Sequence, residues 1–148
     1  MEAIIFCGIQ ATGKSTFYKA HFFKTHVRIS LDLLKTRNRE TRFLATCLET
    51  SQAFVIDNTN PTKEERAKYI ELAKSKKYKV IGYYFQSKIS DSLYRNSLRE
   101  GKENIPEVGV KATFSKLEKP AIEEGFDELF YIEISENTFI IKEWTNEI

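Results

Sequence analysis

Proline and glycine are scarce in this chain, three and six in 148 residues, which excludes a collagen-like, linker-like or low-complexity organisation. Cysteine is scarcer still. Two cysteines without metal-ligand spacing exclude a disulfide framework or a zinc ribbon. Cys7, in an apolar run, and Cys47, in a helical pattern, are expected to be buried free thiols in a reducing compartment. No stretch approaches the roughly 18 apolar residues that a membrane-spanning helix needs. The first apolar run is short and led by Glu2, unlike a secretory signal. A cytoplasmic protein without a membrane partner is expected. A formal net charge of +2 says little about partners. What charge there is lies unevenly: Lys35, Arg37, Arg39 and Arg42 crowd one segment, whereas Glu118, Glu123, Glu124, Asp127, Glu128, Glu133 and Glu136 dominate a later one.

What the chain does have is an ordinary globular composition, 41% hydrophobic and 30% charged, and a length suited to one core. Near its start, Gly8 to Thr16 reads GIQATGKST. Gly8, Gly13, Lys14 and Ser15 satisfy GxxxxGK[ST], the phosphate-cradling P-loop. Glycines let the backbone curl until N–H groups face phosphate oxygens. Lys14 brings a point charge to the β- and γ-phosphates of ATP, and the Ser15 hydroxyl can ligate Mg²⁺. The helix opening near Gly13, over Ser15 and Thr16, adds the positive end of its dipole. The flanks agree: Ala3 to Cys7 is a continuous apolar run of the kind buried on both faces in a parallel sheet, and Phe17, Ala20 and Phe23 follow near helical spacing.

Further strands are expected at 27–30, 53–56, 78–85, 129–134 and 138–144, and helices at about 39–51, 62–75, 89–100 and 111–117. Phe43, Leu44, Cys47 and Leu48 should share the buried face of the second long helix, and Ala67, Ile70, Leu72 and Ala73 that of the third. Apolar strands alternating with helices predict an α/β fold: a P-loop NTPase fold with a doubly wound, mainly parallel sheet and helices on both faces. A hairpin at 135–137 should place the final strand antiparallel at an edge. One domain over 1–148 is expected, with a helical lid at about 87–118.

Asp32 and Asp57 each fall at the carboxyl end of a predicted strand, the edge where open α/β sheets bind ligands. Asp57 opens the run DNTNP, whose Pro61 suits a first helical turn and whose Asn60 or Thr59 can cap it. Asp57, with Ser15, is the candidate metal ligand. Arg95 and Arg99 stand four apart on a predicted helix and so on one face, where they offer forked donors to phosphate. Asp32 is the candidate general base for an acceptor hydroxyl, and Lys35 or Arg37 can hold a phosphate of that acceptor. Together these residues describe phosphoryl transfer, in which positioning and charge neutralisation do most of the work.

The chain resembles the kinase domain of polynucleotide 5′-kinases, both the phage enzyme and the kinase half of the animal kinase-phosphatase. The likeness rests on GxxxxGKST at Gly8 to Thr16, SxD at Ser30 to Asp32, IDNTNP at Ile56 to Pro61, and RNSxR with a following IP at Arg95 to Arg99 and Ile105-Pro106. LExP and EGF within Leu117 to Phe126 are similar to the animal enzymes. The resemblance implies that Lys14 and Ser15 bind ATP and Mg²⁺, that Asp32 activates a 5′-OH, and that Arg99 is a lid arginine with Arg95 beside it. It also implies a nucleic-acid 5′ end as substrate. Lys35 stands where the phage enzyme has an acceptor-phosphate arginine, so contact there would not be bidentate unless Arg37 substitutes. No DxDGT phosphatase motif occurs in these residues, and a kinase without that partner activity is expected. A P-loop kinase acting on a nucleoside or sugar, and a non-catalytic nucleotide-binding module, are the alternative readings.

Overall fold

A computed structural model describes residues 1–148. Strand β1 (Glu2–Cys7) leads through the P-loop into α1 (Lys14–His21), then β2 (Val27–Ile29), a single turn α2 (Leu31–Leu34) and α3 (Arg37–Glu49). Strand β3 (Phe54–Ile56), α4 (Lys63–Ser75), β4 (Lys79–Phe85), α5 (Ile89–Ser97) and α6 (Glu107–Lys116) follow, and the chain closes on β5 (Glu128–Ser135) and β6 (Thr138–Glu143). Short 3₁₀ turns occupy Gly101–Glu103 and Ile122–Glu124.

The six strands form one sheet in the order β2-β3-β1-β4-β5-β6. Every pairing is parallel except β5 with β6, the expected antiparallel edge hairpin. Because β1 lies between β3 and β4, the winding reverses beside it, and the P-loop leaves the sheet at that switch point. Period-two alternation splits β1 between two cores. Ala3 and Ile5 pack with Leu44, Cys47, Leu48, Tyr69 and Ile70 beneath α3 and α4. Ile4 and Phe6 pack with Phe17, Tyr18, Phe22 and Phe85 beneath α1. No helix is long and apolar enough to cross a membrane. Both cysteines are buried and unpaired, and burial pushes the Cys7 thiol up to about 11, leaving it protonated and unreactive.

Several faces differ from the expected ones. Helix α1 stops at His21, so Phe17, Tyr18 and Phe22 carry the packing while Ala20 and Phe23 face solvent. Phe43 on α3 and Leu72 on α4 are also outward, 52% and 45% exposed. In α4 the inward stripe is Arg66, Tyr69, Ile70 and Ala73, whose three-one-three spacing fits a helix better than the purely apolar set. An arginine reads as a surface residue in sequence. Here Arg66 is completely buried because Glu124 meets it with both oxygens, Nε–Oε1 at 2.9 Å and Nη2–Oε2 at 3.0 Å.

Candidate active site

Where β1 ends, Ala11 and Gly13 take left-handed φ values of 59° and 92°, and these two residues curl the loop. Gly8 serves a different need. A Cβ there would stand 3.0 Å from the Phe85 Cβ and 3.1 Å from both the Phe85 carbonyl and Thr12 Oγ1, so a side chain would push Phe85 and Thr12 aside by a few tenths of an ångström where the loop leaves the sheet. Lys14 begins α1 and turns its ammonium back over the loop, donating to the carbonyls of Gly8 at 2.9 Å and Ile9 at 2.7 Å. Burial pulls Lys14 down to about 8. Asp57 and Asp32 partly restore its proton, and Arg99 opposes them. All four groups therefore share one electrostatic neighbourhood.

A cleft of about 250 Å³ gathers them: Lys14, Ser15, Asp32, Asp57, Asn58 and Arg99 line it with the P-loop backbone and Ile105. Ser15 Oγ donates to Asp57 Oδ2 at 3.0 Å, so two oxygens from different elements converge beside the loop. A hard cation such as Mg²⁺ takes oxygen ligands, needs only one or two from protein when phosphates supply others, and fits this pair. Sequence reasoning missed Arg28, whose Nε donates to Asp57 Oδ2 at 2.8 Å and whose Nη2 donates to Ser15 Oγ at 3.0 Å. An arginine inside a short strand between apolar residues carried no motif to flag it.

Asp32 sits in the isolated turn α2, whose N-cap Ser30 makes no side-chain capping bond. The first amide of that turn, Leu31 N–H, donates instead to Asn58 Oδ1 at 2.9 Å. Asn58 Nδ2 in turn donates to Glu40 Oε2 at 2.9 Å, and Glu40 Oε1 receives the Tyr69 hydroxyl at 2.8 Å and Arg37 Nη1 at 3.1 Å. Glu40 is 2% exposed, so this acceptor-rich carboxylate is a buried hub tying α3 and α4 to the turn that bears Asp32. The DNTNP turn is thus a brace. Asn60, at φ 44°, donates to the Phe6 carbonyl at 2.8 Å, and its own carbonyl receives Arg66 Nη1 at 2.9 Å. Neither Asn60 nor Thr59 caps α4: Thr62 does, accepting from Glu65 N–H. Glu118, from the LExP stretch, steadies the same turn by accepting from Lys63 N–H and donating its own N–H to the Pro61 carbonyl.

Arg95 and Arg99 do not share a helix face. Helix α5 ends at Ser97, and Arg99 follows in the irregular connection before Gly101. Both still reach the loop region. Arg95 lies in a second cleft of about 600 Å³ with Thr16, Tyr94, Leu98, Asn137 and Phe139, and its Nη1 approaches the Ala11 carbonyl at 3.4 Å. Arg99 lines both clefts. Lys35 and Arg37 line neither. Lys35 caps α2 with φ 74° and is exposed, while Arg37 Nη1 is engaged by Glu40 and the Tyr69 hydroxyl.

No family model matches the chain. It is 28% identical over 129 residues to the bifunctional polynucleotide phosphatase/kinase of Schizosaccharomyces pombe (strain 972), a match covering 84% of this chain and 32% of that protein. The chain is homologous to the kinase part of that protein. It thus spans about a third of the length of this relative. Among solved structures, the fold matches a gluconokinase from Sinorhizobium meliloti 1021 with a TM-score of 0.64 and 18% identity, covering 91% of this chain and 83% of that one. Kti12 of Chaetomium thermophilum, in complex with ADP-AlF3, matches with a TM-score of 0.67 and 14% identity, covering 88% of each chain. The mixed α/β fold, with its six-stranded and mostly parallel sheet, is the one these structures share.

Proposed function

We propose that the chain is an ATP-dependent kinase that transfers a phosphoryl group to the 5′-hydroxyl of a polynucleotide. The observation that carries this reading is the single cleft in which Asp32, on its braced turn, faces the P-loop with Lys14, Ser15 and Arg99. The homology to a polynucleotide phosphatase/kinase adds the acceptor class. Lys14 and the loop amides hold the β- and γ-phosphates of ATP. Ser15 and Asp57 would hold Mg²⁺, which when bound draws charge from phosphate oxygens. The Asp32 carboxylate takes the hydroxyl proton as the acceptor oxygen bonds to the γ-phosphorus. The bond from that phosphorus to the bridging oxygen then breaks, and ADP leaves with the electron pair. Arg99, between the two clefts, offsets charge on the transferred group, and the second cleft with Arg95 and Thr16 takes the donor's nucleoside end. Residues 87–118 act as a lid over the loop. Lys35, exposed one turn beyond Asp32, meets the acceptor's next phosphate, with Arg37 offering its remaining donors.

A small hydroxylated acceptor is the second reading, favoured by the modest cleft of about 250 Å³ and by the engagement of Arg37 with Glu40. γ-Labelled ATP offered with 5′-OH oligonucleotides of RNA and DNA, and separately with nucleosides and sugars, decides between them. Label entering oligonucleotides alone is expected. Label entering only nucleosides or sugars overturns the polynucleotide reading.

A further inference from the structure

Buried carboxylates need a cation. Asp57 has a side chain 2% exposed, and the one basic group within ion-pair distance is Arg28, at 2.8 Å. Lys14, the P-loop's own cation, is turned to the Gly8 and Ile9 carbonyls instead. The placement of Arg28 follows from strand register. Arg28 pairs with Val55 in the parallel β2–β3 ladder, and Asp57, two residues further along, projects to the same face of the sheet. Helix α1 covers that face, since Val55 packs in the cluster containing Phe17, and so Ser15 arrives beside both. The result is a closed triangle: Arg28 Nε to Asp57 Oδ2, Arg28 Nη2 to Ser15 Oγ at 3.0 Å, and Ser15 Oγ to Asp57 Oδ2 at 3.0 Å. One carboxylate oxygen receives both donors, which leaves Oδ1 outside the triangle.

We propose that Arg28 is a resident counter-ion of the Ser15–Asp57 pair. It keeps that pair neutral and in register, so that a divalent cation joins it only in company with nucleotide phosphates. This rests on the reading of Ser15 and Asp57 as metal-holding groups. With Arg28 in place, a free divalent cation meets a compensated carboxylate and gains little. A nucleotide triphosphate supplies the excess negative charge that the protein pair lacks, and the metal then binds between the two. Arg28 touches neither substrate nor reacting atoms in this scheme. It is a positioning residue, and it also sets the order in which charge is assembled.

The test is the affinity of Mn²⁺ alone, without nucleotide, measured by paramagnetic resonance on the wild type, Arg28→Gln and Arg28→Lys. Glutamine keeps a donor for Asp57 and removes the charge; lysine keeps the charge and loses the fork. Arg28→Gln is expected to bind Mn²⁺ about tenfold more tightly or better, since a unit charge within contact distance is removed from a screened but partly buried site. Its thermal midpoint in chelator should fall and recover when Mn²⁺ is added. Arg28→Lys should bind Mn²⁺ as weakly as the wild type. Unchanged or weaker Mn²⁺ affinity in Arg28→Gln overturns the proposal, as does equal tightening in Arg28→Lys. Should Arg28→Gln not fold, Arg28→Met takes its place as the charge-removed variant: tighter Mn²⁺ binding than the wild type is expected, and unchanged or weaker binding overturns the proposal. ADP affinity in chelator, measured on the same wild-type sample, reports on the phosphate site independently: its loss would refute the P-loop assignment, whereas the Mn²⁺ comparison judges Arg28.

Discussion

Raising the pH from 7 to 9 should weaken nucleotide binding by about tenfold, and the cause is Lys14. Lys14 is 9% exposed, with its ammonium turned back over the loop, and burial brings it down to about 8. At pH 7 most molecules carry the charge, and at pH 9 roughly one in ten does, by the ordinary titration relation. Phosphates favour the charged form, so the complex holds a proton that the free protein has lost, and affinity falls as pH rises through 8. The same depression acts on folding. Between about 8 and the unfolded value of 10.5, the unfolded chain binds a proton that the folded one does not, so Lys14's contribution to stability rises with pH there. Stability thus adds nothing to the loss of affinity. The assay is ADP titration calorimetry in chelator at pH 7, 8 and 9, repeated at pH 9 in two buffers of different ionisation heat to count protons taken up. Lys14→Met should bind weakly at every pH and show no slope. A flat wild-type affinity between pH 7 and 9, or a slope that survives in Lys14→Met, would refute the reasoning.

Asp32→Asn should keep ATP affinity and lose turnover by a factor on the order of 10²; parallel loss of ATP affinity in the binding assay would instead mark Asp32 as a structural member of the loop. Lys35→Ala should raise the KM for oligonucleotides and flatten its dependence on salt, because phosphate contacts release counterions, whereas Arg37→Ala should chiefly lower the thermal midpoint, by about 1 kcal/mol of stability, through its bonds to Glu40 and Tyr69. Equal salt slopes in the wild type and Lys35→Ala would remove Lys35 from the acceptor path. Asn58→Ala strands Leu31 N–H and one oxygen of Glu40, at a cost of about 1–3 kcal/mol for each buried group left unpaired; denaturant unfolding reads the loss, and a change under 0.5 kcal/mol, about the size of an ordinary surface substitution, would show that the brace is dispensable. Gly82→Ala drives a methyl to 2.7 Å from the Phe126 ring and 2.8 Å from Leu129 Cδ1, so a lower midpoint by about 1–3 kcal/mol is expected from overpacking, and a wild-type melting curve would contradict it.

Local chemistry was enough to read the scaffold. A continuous apolar run followed by GxxxxGKST specifies strand, loop and helix within a few residues of one another, and alternation of apolar strands with helices specifies a mainly parallel sheet. The same holds for the edge hairpin, where Glu136 and Asn137 adopt the positive φ that a two-residue turn demands. Pairings between distant residues are another matter, since no periodicity records them. That Arg66 is core rather than surface depends on Glu124, 58 residues away. That Arg37 is occupied depends on Glu40 and on Tyr69 from another helix, and the expected shared face of Arg95 and Arg99 failed because α5 ends at Ser97, where Asn96 bonds forward to Ile105. Asp32 and Asp57 were legible as strand-end carboxylates, but only the parallel pairing of β2 beside β3 and the packing of α1 across them brought Arg28 to Asp57 and Ser15. Charge compensation is a property of space, and a linear pattern of residue types does not carry it.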